Sequence, residues 1–193
     1  SVDEYSAAGF YISAGGTQTS ISSDGTPSFL FNDPNNYSRI EKIASIIGNA
    51  EVTQKAEQLA SRSGSYNIVD KVYTFKNGHA LYLGYGAQAI AFYLRDMEDD
   101  YGILPYPKFD ETQKDYVSVV HDIMRIMVLP ANCQKTDAVC AVLEQLSHDG
   151  YYDLLPAYYD VLMKNKYARD SLSAEMVDII REGCVTDIAY VYG

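Results

Sequence analysis

Hydrophobic positions in the first quarter of the chain recur mostly at helical spacing. YSAAGFYISAGG (residues 5–16) predicts a short helix that stops at its glycine pair. SSDGTPSF then predicts a polar turn with its tightest point at Asp24–Gly25. Asp33–Pro34 or Asn36 can cap the next helix. That helix is predicted by four positions on one face: Ile40, Ile43, Ala44 and Ile47.

The middle of the chain alternates between helical and strand-like patterns. A helix is expected over about residues 51–62, ending at SRSGS. IVDKVYTFKNG (68–78) predicts another helix, closed by Asn77–Gly78. HALYLGYG (79–86) is apolar, β-prone and flanked by glycines, so it predicts a strand. GAQAIAFYLRDM (86–97) returns to a helical pattern.

In the second half of the chain, prolines mark the ends of the predicted strands. YGILP (101–105) predicts a short strand and VSVVHDIMRIMVLP (117–130) a longer one, each ended by a proline. From about Thr136 the pattern is helical, with one apolar face at Val139, Val142, Leu143 and Leu146. YYDLLPAYYDVLMKN and SLSAEMVDIIREG complete a helical C-terminal part, whose last helix has its inward stripe at Met176, Ile179 and Ile180. Mixed elements with helix in the majority predict an α/β or α+β sandwich.

Composition narrows the class of protein. The 193 residues are 47% hydrophobic, which is enough for a real core. No run of about 18 apolar residues occurs, so no membrane-spanning segment is expected. The net charge of −11 and the scattered lysines and arginines disfavour binding to nucleic acid, because such a surface repels phosphate backbones. Solubility is the simpler reading of this acidity.

The tyrosines and cysteines are the unusual residues. The chain has 18 tyrosines and no tryptophan, and tyrosine suits half-wet surfaces and ligand clefts. Three cysteines (Cys133, Cys140 and Cys184) cannot all pair with one another, and no CxxC occurs. We therefore expect small buried thiols rather than a disulfide framework or a metal site.

Patterns for an enzyme are weak. His121 and Asp122 are adjacent, so in a strand they would point to opposite faces and could not form a dyad. No GxSxG or phosphate-loop pattern occurs. Asp110 and Glu111 are neighbours in a polar loop and make poor glycosidase carboxylates. An acidic cluster could bind calcium but lacks the EF-hand pattern, and it is more typical of a solvated helix end: Asp96, Glu98, Asp99 and Asp100.

Four segments follow one another along the chain: FKNGHALYLGYGAQAI (75–90), YGILPYPKFD (101–110), VLPANCQKTDAVCAVLEQL (128–146) and PAYYDVLMKNKYARDSLSAEMVDIIREG (156–183). Their order resembles that in one family, the bacterial extracellular solute-binding proteins of family 1, which bind sugars for ABC transporters. No single motif is diagnostic. The ordered series carries the resemblance, which extends from Phe10 to the end of the chain.

The resemblance implies an α/β fold, namely a helix-rich lobe of the type II periplasmic-binding-protein kind. The lobe would be incomplete, because the family's signal peptide, lipobox cysteine and first-lobe sequence are absent. Residues 1–105 would form the first part of the C-terminal lobe, 106–149 a crossing segment that returns to the N-terminal lobe, and 150–193 the C-terminal lobe helices. Pro105 and Pro107 would stiffen the crossing, since proline fixes φ and cannot extend a ladder. A plain loop within one sheet is the alternative.

The resemblance also implies a non-enzymatic function. The chain would be the substrate-binding component of an ABC importer, holding a small solute such as an oligosaccharide in an inter-lobe cleft by hinge closure, without cofactor or metal. Carried over position by position, the ligand-binding residues are Tyr5, Tyr66, Tyr85 and Gln88. The family often has tryptophan where Gln88 stands, which leaves the substrate class open. Each tyrosine could instead bridge surface and core, and Gln88 could only cap a helix.

Partners and location follow from the same resemblance. A membrane permease would dock the closed form, and the protein would be an extracellular, cell-surface lipoprotein. Exposed apolar surface could drive self-association of the fragment. The alternative function is an extracellular protein-interaction or scaffold domain without a small-molecule ligand, in which the tyrosines contact protein.

Overall fold

The fold mixes helices with short strands, as the hydrophobic pattern predicted. The computed structural model describes residues 4–30, 32–55, 69–120, 127–187 and 189. Helices predominate, and the described strands form only two two-stranded sheets. The prediction of a helix-rich α/β protein is therefore confirmed at this level.

The N-terminal helix and the turn after it were both predicted correctly. Helix α1 (Glu4–Ser13) ends just before Gly15, whose φ of 75° favours glycine. Strands β1 (Thr19–Ile21) and β2 (Pro27–Phe29) then form an antiparallel hairpin around the predicted Asp24–Gly25 turn. The hairpin strands themselves were missed, because three residues are too few to display an alternating pattern.

Helix α2 (Pro34–Gly48) has the predicted cap. Asp33 is the N-cap residue, and its carboxylate accepts a 2.8 Å hydrogen bond from the amide of Asn35. The alternative cap, Asn36, is instead buried inside the first turn, where its amide donates to the carbonyl oxygen of Leu30 at 2.9 Å. The Asn36 side-chain amide thus fixes the chain between β2 and α2, whereas the sequence pattern predicted only a capping role for this residue.

The helix expected over residues 51–62 is wrong for the part that is described. Residues 51–55 form turns and an isolated bridge, and 56–62 lie outside the described ranges. Thr53 explains the difference: its hydroxyl donates to Ile46 O at 2.8 Å and its amide to Asn49 O at 2.9 Å. These local bonds satisfy the end of α2 and compete with a new helix.

Two predicted strands are absent from the structure. Helix α3 (Asp70–Lys76) ends as predicted before Gly78, but neither 79–86 nor 101–105 forms a strand. In both segments a serine hydroxyl occupies a backbone group that a ladder would use. Ser6 Oγ donates to Gly84 O at 3.1 Å, and Ser173 Oγ accepts from the amide of Ile103 at 3.0 Å. The apolar runs are therefore pinned by side chains rather than by neighbouring strands.

The long strand expected over residues 117–130 is also largely wrong. Only β3 (Ser118–Val119) is a strand, paired in parallel with β4 (Cys184–Val185). Residues 127–130 form no strand, and 121–126 lie outside the description.

The C-terminal helices agree with the prediction, with a change of helical form. The helical pattern from Gln88 becomes a π-helix at Ile90–Leu94. Helix α4 (Thr136–Asp149) continues into the π-helical segments Gly150–Leu154 and Ala157–Tyr167. Helix α5 (Ser171–Glu182) begins at Asp170, whose carboxylate accepts from the amide of Ser173 at 2.7 Å.

The described core consists of two small clusters. The Val72 cluster contains Val72, Leu94 and Met97, and the Met163 cluster contains Ile90, Met163 and Val177. Tyr101 packs against both. In α5 the buried residues are Ser173 and Val177, whereas the predicted inward stripe of Met176, Ile179 and Ile180 is only half-buried.

Two predictions of burial are wrong. Helix α4 has no buried residue, and Val142 and Leu146 of its apolar face are 58% and 54% exposed. The expected buried thiols are also not found: Cys140 and Cys184 are exposed, Cys133 is half-buried, and all three are free. Nothing among the described residues packs over α4 closely enough to cover this face.

Candidate functional site

The loop from Gly84 to Gly86 is held against two helices. Ser6 of α1 donates its hydroxyl proton to Gly84 O at 3.1 Å. The ammonium group of Lys71 in α3 donates in turn to Ser6 Oγ at 3.3 Å, and Lys71 is only 2% exposed. A buried ammonium group is costly unless it is well solvated by the protein, so these contacts indicate a fixed arrangement.

Tyr85 is a predicted ligand residue, and its ring is held in place by neighbouring side chains. Lys71 Nζ lies 4.7 Å from the ring centroid, within the range of a cation–π contact. Tyr93 meets the ring edge-on at 6.3 Å, and the half-buried ring packs against the Val72 cluster. The tyrosine therefore bridges core and surface, and contacts within the protein define the position of its ring.

Tyr106 fills a slot beside the same loop. Its ring meets Phe10 edge-on, with centroids 4.8 Å apart. A Cβ on Gly9 would lie 3.3 Å from Tyr106 Cζ, and a Cβ on Gly84 would lie 2.6 Å from its hydroxyl oxygen. The slot thus depends on two glycines, one in α1 and one in the loop that carries Tyr85.

The other predicted ligand residues are less well placed or lie outside the description. Gln88 is exposed at the start of the helical segment, with its side-chain amide folded back over Gly86. Tyr5 belongs to α1, and its side chain is not among those described. Ser6, its neighbour in sequence, touches Gly84, so α1 runs beside the Tyr85 loop. Tyr66 lies outside the described residues.

The loop from Gly84 to Gly86, with the parts of α1 and α3 and the Tyr106 ring that contact it, is called the junction below. Three residues of the junction, Ser6, Lys71 and Tyr106, were not predicted as site residues. Lys71 follows an aspartate at the start of a helical pattern, where a lysine normally indicates a solvated face, and Ser6 carries no signal at all. Tyr106 had one usable signal, its place between Pro105 and Pro107. Only a three-dimensional structure shows that these residues converge on Gly84 and Tyr85.

Three of the carboxylates weighed as enzyme or calcium candidates have side-chain or backbone partners, namely Asp110, Asp96 and Asp100. The Asp110 carboxylate accepts from Thr112 Oγ1 at 2.6 Å and from its amide at 2.9 Å, and these bonds hold the pKa of Asp110 below its usual value. Asp96 binds Lys76 at 2.7 Å, and Asp100 binds Arg169 at 3.1 Å. Within the described ranges no three His, Cys, Asp or Glu side chains come together as a metal site. The pair His121–Asp122 lies outside those ranges.

Two open depressions lie away from the junction. A groove of about 480 Å³ separates α1 from α2, and the predicted apolar face of α2 forms one wall, with Ile40, Ile43, Ala44 and Ile47. A polar depression of about 270 Å³ lies at the start of α5, lined by Asp100, Tyr101, Gly102, Arg169 and Asp170. Arg169 is stacked on Tyr101 there at 4.7 Å and donates to Met97 O at 2.6 Å, to Asp99 O at 2.7 Å and to Asp100 Oδ1 at 3.1 Å, so three of its five N–H donors have protein partners.

Comparison with known proteins adds no relative. No family model, no curated protein and no solved structure matches this chain. Across the described ranges, no helix is both long and apolar enough to span a bilayer.

Proposed function

We propose that the chain is part of the substrate-binding component of an ABC importer and that it binds a small solute, a carbohydrate, between two lobes. The fold would be that of a type II periplasmic-binding-protein lobe, with a second lobe contributed by sequence beyond these 193 residues. The observation that carries the proposal is the mounting of Tyr85: an aromatic ring, pre-positioned by Lys71, on a glycine-flanked loop at a helix start. Sugars bind to such rings through their apolar faces.

The segment after Tyr101 begins on the lobe that this chain would supply, and its contacts up to Gln113 are with helices of that same lobe. Ile103 is bonded to Ser173 of α5, whereas Phe109 lies against α2, with Lys42 Nζ 4.6 Å from its ring centroid. Gln113 then donates its side-chain amide to Ser13 O at 2.8 Å. The proline-containing stretch thus runs over one lobe, from α5 to α2 and α1, without forming a strand, and in the proposal the crossing to the second lobe follows it. A finished sheet through 101–130 would have opposed the proposal.

The exposed face of α4 supports the assignment of 106–149 to a returning segment. Val142 and Leu146 remain mostly accessible although their spacing is that of a packed helix. Such a face normally packs against protein. In the proposal this partner surface is the second lobe, and closure of the two lobes around the solute shifts the population toward the form that docks on the permease.

The test is a thermal-shift screen of the full-length protein against an oligosaccharide panel. We expect at least one oligosaccharide to raise the melting temperature, because a ligand that binds only the native state stabilises it. Tyr85→Ala should weaken binding of that sugar by about tenfold or more, in line with the loss of one aromatic contact. Tyr37→Ala is the matched control, since Tyr37 is 49% exposed on α2. No response to any oligosaccharide by the wild-type protein would contradict the proposal.

A second candidate is a protein-interaction domain without a small-molecule ligand. It is favoured by the aromatic patch after α4, where Tyr151 and Tyr152 pack with centroids 5.0 Å apart and both remain exposed. Light scattering at increasing concentration separates the two. A second-lobe interface predicts that full-length protein is monomeric, whereas a scaffold domain predicts that the full-length protein retains a concentration-dependent assembly.

A further inference from the structure

We propose that Tyr106 couples the position of the 101–116 segment to the position of the Tyr85 ring. The biological meaning of this coupling rests on the function proposed above. Movement of the inter-lobe crossing would change the position of the ligand-stacking Tyr85 ring through the Tyr106 side chain. The physical linkage between the two segments can be tested without any ligand.

The first step is the fit of Tyr106 in its slot. The ring is bounded by Gly9 and Phe10 of α1 on one side and by Gly84 on the other. Even a methyl group on Gly84 would approach the Tyr106 hydroxyl to 2.6 Å. The Tyr106 hydroxyl therefore lies where the side chain of any other residue at position 84 would begin, which places the two segments in close contact.

The second step is the stiffness of the backbone that carries Tyr106. Pro105 and Pro107 fix φ on both sides, and a residue that precedes proline is itself confined to extended conformations. Tyr106 therefore has little freedom to change its backbone angles while the segment moves. Displacement of the segment is passed to the ring rather than absorbed beside it.

The third step leads from Gly84 to the ring of Tyr85. Gly84 is bonded through its carbonyl oxygen to Ser6, and Ser6 to Lys71, which lies over the Tyr85 ring. Gly84 is also the residue directly before Tyr85. A displacement of Gly84 is thus transmitted to the Tyr85 ring in two ways, along the backbone and through Ser6 and Lys71. The linkage is therefore a contiguous set of contacts.

Coupling of this kind works in both directions. If a solute favours one position of Tyr85, the same free energy favours the matching position of the crossing segment. Tyr106 would then be a positioning residue: it touches no ligand, but it relates ligand contact to lobe orientation.

The experiment is a double-mutant cycle read by amide chemical shifts in the 193-residue chain. Pro107→Ala loosens the segment, and the shifts of Gly84 and Tyr85 are compared in the Tyr106 and Tyr106→Leu backgrounds. We expect the Pro107→Ala perturbation to fall by about threefold or more when Tyr106 is removed. Gly183, which approaches Tyr116 further along the segment, is the internal control and should respond equally in both backgrounds.

Equal perturbation of Gly84 and Tyr85 in both backgrounds, or none in either, would overturn the proposal. Tyr106→Phe provides a variant that keeps the ring and loses only the hydroxyl against Gly84, so it should give an intermediate response if Tyr106→Leu unfolds the chain. In full-length protein, Tyr106→Phe should also weaken oligosaccharide binding about threefold, while Tyr37→Phe, at an exposed position of α2, should not. If wild-type protein binds no oligosaccharide, the proposed function fails, yet the cycle still decides whether the linkage exists.

Discussion

The ammonium group of Lys71 lies 4.7 Å from the centroid of the Tyr85 ring, at a position where Lys71 is 2% exposed. A cation and an aromatic ring removed from water attract each other more strongly than at the surface. The pair joins α3 to the loop before the π-helical segment, and it gives that loop a defined conformation although no ladder holds it.

Lys71→Met should destabilise the protein by about 1–3 kcal/mol, because it removes the cation from Tyr85 and the donor from Ser6. Urea unfolding followed by circular dichroism measures the change. Lys135→Met is the matched control at an exposed position and should change stability by less than about 0.5 kcal/mol. Equal effects of the two substitutions would show that the Lys71 contacts contribute nothing specific.

Gly84→Ala should destabilise the protein by about 1–3 kcal/mol, since its Cβ would lie 2.6 Å from the Tyr106 hydroxyl. Adding Tyr106→Phe to this variant should recover part of the loss. Gly150→Ala is the control: nothing lies within 4 Å of its Cβ and its φ is −57°, so alanine should be neutral or stabilising. Calorimetric melting of wild type, Gly84→Ala, the double variant and Gly150→Ala provides the comparison. A Gly84→Ala protein as stable as wild type would show that Tyr106 is not tightly packed against Gly84.

Ser173→Ala should cost about 1–3 kcal/mol, because the buried hydroxyl accepts from the amide of Ile103 and donates to the Asp170 carboxylate at 2.8 Å. Both partners would lose a bond, and the amide would lose its acceptor in a half-buried site. Ser171→Ala, two residues earlier and exposed, should have little effect. If chemical unfolding gives the same midpoint for both variants, Ser173 does not anchor the 101–116 segment.

These positions show where sequence reasoning succeeded and where it could not. Helix ends were predictable, because Asp33, Gly15 and Gly78 act through local geometry that neighbouring residues reveal. The absence of strands at 79–86 and 101–105 could not be predicted, because a β-prone run specifies only an extended backbone. Whether its backbone meets a strand or a serine hydroxyl depends on residues about 70 positions away along the chain, as with Ser6 and Ser173.

The candidate site follows the same division. Tyr85 was named through the family resemblance, but the contacts that hold it could not be predicted, since Lys71 reaches the ring and Tyr106 reaches Gly84 from other elements. Burial along α4 was predicted from periodicity alone, and periodicity states which residues share a face without stating what covers it.

Acid should weaken the contact between the hairpin and the C-terminal residues. The Asp187 carboxylate accepts from Thr19 Oγ1 at 2.6 Å and from the amides of Gln18 and Ala189, each at 2.9 Å. Burial raises the pKa of Asp187, but these hydrogen bonds outweigh it and hold the pKa below its usual value. A carboxyl whose pKa is lower when folded stabilises the protein above its unfolded pKa, near 3.9, and this contribution is lost as the pH falls toward the folded pKa.

Asp187→Asn keeps the shape of the side chain and cannot ionise, so it isolates this effect. Urea midpoints of wild type and variant should differ most at pH 6 and converge as the pH approaches 3. A difference that stays constant over this range would mean that ionisation of Asp187 does not contribute to stability.

The central claim is that this chain supplies one side of a two-lobe solute site. Isothermal titration with the oligosaccharide that gives the largest thermal shift tests it most directly, using the full-length protein and the 193-residue chain side by side. The account predicts saturable heat from the full-length protein and little heat from the 193-residue chain, because contacts from the other lobe are missing. Tight binding by the 193-residue chain alone, or no binding by the full-length protein, would contradict it.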